Sequence, residues 1–242
     1  MNPLDQARTL VEQAQRIAVL TGAGVSAESG IPTFRGPGGL WRNYRPEELA
    51  TPEAFERNPQ LVWEWYRWRR RLIAAAEPNA GHLALAELER RTPVFTLITQ
   101  NVDGLHGRAG SRRILKIHGD IWLSRCTGCS YQRTDRATED EAVPLCPDCG
   151  AMLRPGVVWF GEPLPRLVWE EAERAVYDSQ LLIVAGTSAQ VYPAAGLIGL
   201  ARGATIEVNL DETSFSKAVT VALRGGCAEL LRQLALTGPP SG

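Results

Sequence analysis

The chain has 242 residues with 26 Lys and Arg against 27 Asp and Glu, a formal net charge of −1. That balance gives no overall basic field for nucleic acid or an anionic membrane surface, and no apolar run approaches the roughly 18 residues of a spanning helix. The length is enough for a sizeable core, as one large domain or as a domain with an insert.

The opening Met-Asn-Pro-Leu-Asp-Gln lacks a basic segment followed by an apolar one, so no secretory signal is expected. Asn2-Pro3 reads as an N-cap and first helical residue, with Leu4, Ala7, Leu10, Val11 and Ala14 on one face. Ile17-Ala18-Val19-Leu20 then reads as a buried strand. It ends in Gly22-Ala23-Gly24-Val25-Ser26-Ala27, which fits the relaxed dinucleotide fingerprint of a glycine turn that lets main-chain N–H groups meet a pyrophosphate. Small-residue turns after strands are common, and this one alone decides nothing. From Gly30 to Trp41 the chain holds two prolines and four glycines, so the spacing predicts a long loop, placed to act as a lid over a ligand.

Thr51-Pro52 and Asn58-Pro59 repeat the cap-then-proline signal, and each predicts a helix start. On the second helix, Leu61, Trp65, Trp68 and Leu72 are the expected packed face, with the interleaved arginines on a solvated one. Tyr66 and Arg69 stand side by side at i and i+3. Asn79 opens a further helix. Strands are expected over residues 94–99, 114–117, 181–185 and 205–209, and a short helix over 228–236. Strands alternating with helices indicate a mostly parallel sheet covered on both faces, in which ligands bind at the carboxyl ends of the strands. Those ends carry Gln100-Asn101, His118-Gly119, Gly186-Thr187-Ser188 and Asn209.

Between His118 and Val157 the chain is polar and poorly periodic and holds four of the five cysteines. Cys126-x2-Cys129 and Cys146-x2-Cys149, with 16 residues between the pairs, fit a tetrahedral four-thiolate zinc site. Such a site is closed, hence structural. Cysteines paired for a metal suit a reducing cytoplasm. A histidine of near-neutral pKa is the natural general base. His118, at a strand end beside a glycine, and His106 both qualify, and the residues alone do not separate them.

The block Gly22-Ala-Gly-Val-Ser-Ala-Glu-Ser-Gly-Ile-Pro-Thr-Phe-Arg-Gly36 resembles the NAD-binding signature of the sirtuins, the NAD-dependent protein deacylases. Thr99-Gln-Asn-Val-Asp103, Leu115-Lys-Ile-His-Gly119, the two Cys-x-x-Cys pairs and Gly186-Thr-Ser188 match the same family in order, and weaker matches reach Cys227. The resemblance implies an α/β fold, a Rossmann-like mostly parallel sheet formed by residues 1–118 and 157–242, with a zinc-ribbon module inserted at 119–156 and the active site between them. It implies NAD held by Gly22, Ala23, Gly24, Ser26, Ala27, Ile31, Phe34, Arg35, Trp41, Gln100, Asn101, Asp103, Gly186, Thr187, Ser188, Asn209, Leu210, Asp211 and Cys227. Asn101 and Asp103 would meet the nicotinamide carboxamide and Gln100 the ribose hydroxyls. His118 would be the catalytic base. Cys126, Cys129, Cys146 and Cys149 would hold one structural Zn²⁺.

An acyl-lysine peptide would lie along Val157-Val158-Trp159-Phe160-Gly161 and pair through its main chain. The implied reaction moves the acyl group from lysine to the ribose and releases nicotinamide. Tyr66-x-x-Arg69 resembles the pair that marks the desuccinylase and demalonylase branch, whose members also remove acetyl groups. An NAD-dependent ADP-ribosyltransferase and a non-enzymatic zinc-ribbon binding module are the competing functions.

Overall fold

In a computed structural model, residues 2–33, 45–136, 138–139 and 142–236 are described. The main sheet opens with β1 (Arg16–Thr21), β2 (Val94–Thr99) and β3 (Ile114–Lys116). The chain leaves it for β4 (Gly119–Cys126), β5 (Gln132–Thr134) and β6 (Leu153–Val157), and returns for β7 (Leu181–Ala185), β8 (Ala204–Asn209) and β9 (Val221–Arg224). The six main strands are parallel in the order β3-β2-β1-β7-β8-β9. The three inserted strands form a separate antiparallel sheet, β5-β4-β6.

The helices are α1 (Pro3–Gln13), α2 (Ala23–Ala27), α3 (Pro46–Leu49), α4 (Pro52–Arg57), α5 (Pro59–Ala75), α6 (Ala80–Arg91), α7 (Leu105–Arg108), α8 (Arg166–Asp178) and α9 (Cys227–Ala235). Their starts follow capping chemistry. Asn2, Thr51, Asn58 and Asn79 each accept a main-chain N–H from the first turn of the helix they precede, which satisfies donors that have no partner within the helix. Among the described residues no helix is long and apolar enough to cross a membrane.

Side chains alternate across a strand, and the two faces of the sheet bury different helices. Ile17, Val19, Leu181 and Ile183 pack with α1, α6 and α9. Ala18, Leu20, Leu182 and Val184 pack with α8 and the 3-10 turn Ala194–Leu200. The Rossmann-like fold with an inserted small sheet, expected from the sequence, is borne out. The sequence reading has no counterpart for α8 or β9.

A second core joins the inserted sheet to the chain before it. Leu49, Phe55, Val62, Trp63, Tyr66 and Ile73 share it with Ile121, Trp122, Val157 and Trp159. The inserted sheet therefore packs on α3, α4 and α5, which the sequence reading assigns to the main domain.

Helix α5 bears out part of its expected face. Trp65 is buried in the second core with Val62, Trp63, Tyr66 and Ile73, while Leu61 and Trp68 are half-buried against it. Arg67, Arg69 and Arg70 are buried rather than solvated. Arg70 explains how: its Nε donates to the Ile121 carbonyl at 2.9 Å and its Nη1 meets Asp135 at 3.1 Å. Arg67 donates to the Ala142 carbonyl and lies over the Trp63 ring. A buried guanidinium is tolerated when acceptors meet its fork of donors.

Candidate active site

The carboxyl ends of β1, β2, β3, β7 and β8 lie along one edge of the sheet, and the expected site residues gather there. Gly22 donates its N–H to the Ala185 carbonyl at 3.0 Å and Gly24 to the Gly186 carbonyl at 2.8 Å. A Cβ on Gly24 would lie 2.8 Å from the Gly186 Cα, and one on Gly186, where φ is +60°, 2.4 Å from the Val25 nitrogen. Glycine is thus required by the contact of two turns, a demand the fingerprint alone does not reveal. The N–H groups of Gly22, Gly24 and Gly186 all go to carbonyls, the last to that of Val208 at 2.9 Å, so these glycines serve the packing of the two turns rather than donating to a phosphate.

Ala23, Ser26, Ile31, Asn101 and Asp103 line one pocket together with Arg69. Its polar groups are already ordered. Asn101 Nδ2 donates to the Gly22 carbonyl at 3.0 Å and to Ser26 Oγ at 3.2 Å, and Ser26 Oγ donates to Asp103 Oδ2 at 2.8 Å. The Leu105 N–H holds Asp103 Oδ1 at 2.8 Å. Burial pushes the Asp103 carboxyl up, against the pull of Leu105 and Ser26. With Asn101 Nδ2 donating twice, Asn101 Oδ1 and the Asp103 carboxyl remain side by side to accept from the N–H groups of a carboxamide.

The strand ends are tied to one another. Gln100 Nε2 donates to Thr187 Oγ1 at 3.0 Å, and Asn209 Nδ2 donates to the Thr187 carbonyl at 2.9 Å. Ser188, Leu210 and Asp211 lie exposed beside them. Cys227 points its thiol into the main core, toward the Val208 carbonyl, and burial pushes that thiol up to about 12. Only its main chain, at the start of α9, is left for a ligand. Phe34, Arg35 and Trp41, with most of the expected lid, lie outside the described residues.

The two histidines differ sharply. His118 is half-buried, and its Nδ1 lies 3.2 Å from the Gln100 carbonyl. A carbonyl only accepts, so Nδ1 carries the proton and the neutral ring presents Nε2 as a base. Burial lowers the His118 pKa and the Gln100 carbonyl partly restores it. His106 is sealed inside on α7, with Nε2 3.0 Å from Thr21 Oγ1, and burial lowers its pKa well below the usual value. Geometry favours His118.

Tyr66 and Arg69 are both buried, and the Arg69 guanidinium lies over the Trp65 and Tyr66 rings at 4.8 and 5.3 Å. Burial lowers the Arg69 pKa, while Tyr66 and Asp103 raise it. Along 157–161, where the resemblance lays the peptide, strand β6 continues only as far as Val157, and Val157 and Trp159 turn their side chains into the second core. The N–H groups of Val158, Trp159 and Phe160 go to the His118 carbonyl, Glu162 and the Ala50 carbonyl. A peptide lying there would meet carbonyls and the exposed Phe160 and Gly161 rather than these donors.

Two groups have no place in the sequence reading. His82 sits at the third position of α6, in a capping box with Asn79, with Nε2 3.4 Å from Ser26 Oγ. The capping position after Asn79 is its sequence signal. Glu162 accepts from Arg125, Arg154 and the Trp159 N–H. No short motif reveals that cluster.

The four paired cysteines converge. Cys126 and Cys149 sulfurs stand 3.5 Å apart, Cys129 and Cys146 3.6 Å, and all four lie within 4.8 Å of one another. Zinc bound to sulfur at about 2.3 Å in a tetrahedron sets its ligands about 3.8 Å apart, so the donor set fits one structural zinc.

The sequence profile of the Sir2 family matches residues 22–193. The chain belongs to that family. The NAD-dependent protein deacylase 2 of Pyrobaculum aerophilum is 51% identical over 93% of this chain and 92% of its own length. A solved Sir2 homologue–NAD complex superposes with a TM-score of 0.91 at 48% identity, covering 96% of this chain and 92% of the other. A Sir2 protein with a deacetylated p53 peptide and 3′-O-acetyl ADP-ribose gives 0.85 at 34% identity, with 96% of each chain covered. The expectation of a sirtuin, an NAD-dependent protein deacylase with a zinc-binding cysteine cluster, is borne out.

Proposed function

We propose that this sirtuin removes succinyl and malonyl groups, as well as acetyl, from lysine side chains of protein or peptide substrates. The observation that carries the reading is the pairing of Tyr66 with Arg69, with Arg69 lining the same pocket as Asn101 and Asp103. A phenol hydroxyl and a planar guanidinium form a fitting receptor for an acyl chain that ends in a carboxylate. Acetyl lacks that end and needs neither group.

When bound, NAD supplies the ribose that takes the acyl group and the nicotinamide that leaves. The two small-residue turns, residues 22–27 and 186–188, would border its phosphates, Asn101 and Asp103 would orient the carboxamide, and Gln100 with Thr187 would set the ribose. His118 Nε2 would take a proton from a ribose hydroxyl. Val158, Phe160 and Gly161 would border the peptide. Four thiols held for a metal support a reducing, cytoplasmic setting. The test is mass spectrometry on one peptide carrying acetyl-, propionyl-, succinyl- or malonyl-lysine, with and without NAD. NAD-dependent loss of the acidic acyl groups is expected. Labelled ADP-ribose left on protein with no deacylation would overturn the reading.

A further inference from the structure

Tyr66 is held from behind. The Trp159 indole Nε1–H donates to Tyr66 Oη at 3.0 Å, and both side chains are buried. Trp159 is itself clamped. Its main-chain N–H donates to Glu162 Oε2 at 2.8 Å, the Arg154 guanidinium stacks 3.3 Å from its ring centroid, and Phe55 packs against it at 5.4 Å. Arg154 and Glu162 are joined to each other, so the clamp is one unit.

The chemistry of the partners decides the direction of the phenol. An indole N–H and a guanidinium only donate. Against Trp159 and Arg69, Tyr66 Oη can therefore only accept, and its own proton must go to an acceptor that neither supplies. Burial pushes the Tyr66 pKa up, which keeps that proton in place at neutral pH. The Arg69 guanidinium, itself made of donors, lies beside the phenol, 5.3 Å from its ring centroid. The acceptor matching two such donors is a carboxylate. A phenylalanine at position 159 would keep an aromatic ring there, in a smaller volume, yet remove the N–H and leave the phenol free to turn.

We infer that Trp159 is a positioning residue for acyl selectivity: its N–H fixes the Tyr66 hydroxyl so that Tyr66 and Arg69 donate together to an acyl carboxylate. This rests on the proposed reading of Tyr66 and Arg69 and adds the residue that orients them.

The test compares desuccinylation with deacetylation, each as kcat/KM on the same peptide, in the wild type, Trp159→Phe, Tyr66→Phe and the double variant, with thermal midpoints for all four. Trp159→Phe should lower the succinyl-to-acetyl ratio about five- to tenfold, the scale of one hydrogen bond, mainly through KM for the succinyl peptide. In the Tyr66→Phe background the same change should leave the ratio where Tyr66→Phe alone put it, because the group it orients is gone. A merely structural role would lower both activities together and lower them again in the double variant. That result, or an unchanged ratio in Trp159→Phe while Tyr66→Phe shifts it, overturns the inference and leaves the Tyr66–Arg69 reading standing. A wild-type enzyme that removes acetyl but neither succinyl nor malonyl overturns both.

Discussion

His118 and His106 carry the same side chain, and their surroundings give them different chemistry. The Gln100 carbonyl takes one nitrogen of His118 and leaves the other as a base, whereas His106 Nε2 is held against Thr21 of β1. His118→Ala should lower deacylation by about 10²-fold or more, the scale of a lost general base, while NAD binding by calorimetry persists. Because burial lowers the His118 pKa in the free enzyme, the acid limb of kcat/KM should fall below the ordinary histidine value of about 6.5. The base is needed unprotonated, so activity is lost only as pH drops through that lowered value. An inactive His106→Ala beside a near-normal His118→Ala would reverse the assignment. Arg69→Met should cost desuccinylation on the order of 2–3 kcal/mol in transition-state stabilisation, the scale of a lost charged hydrogen bond, and deacetylation much less. Equal losses would mean that Arg69 holds α5 rather than reads the acyl group.

At the scale of elements, capping residues and apolar runs were legible because they act locally. Asn2, Thr51, Asn58 and Asn79 open their helices as their spacing predicts, and β1 and β7 alternate between two cores. The burial of the α5 arginines was not legible, because the partners that allow it are distant in sequence, Ile121 and Asp135 among them. The glycine turn was legible as a motif and not as a contact, since Gly186 meets it from 162 residues further along the chain than Gly24. Gly24→Ala should therefore destabilise the fold by about 1–3 kcal/mol, as overpacking does, and weaken NAD binding. Urea unfolding with unchanged midpoint beside weakened NAD binding would show that the glycine serves the ligand alone.

Over the whole molecule, the zinc module and the cleft share a frame. Cys126 is the last residue of β4, and Cys149 precedes β6, whose end runs into Val157 and Trp159. Strands β4 and β6 supply Ile121, Trp122 and Val157 to the core that also buries Tyr66. Four thiolates brought together without a metal repel one another, and metal-binding energy in such a site is folding energy. One Zn²⁺ per chain is expected by elemental analysis of reduced protein. Cys126→Ala, or chelation, should lower the thermal midpoint and deacylation together, because loosening β4 and β6 loosens the wall behind Tyr66 and Trp159. Zn²⁺ added back after chelation should restore both, and should restore neither in Cys126→Ala. Because the site is closed, its metal has no open position to activate water, so the loss of activity should follow the fraction unfolded at each temperature. Activity that fell by orders of magnitude while the fold stayed intact would contradict a purely structural zinc.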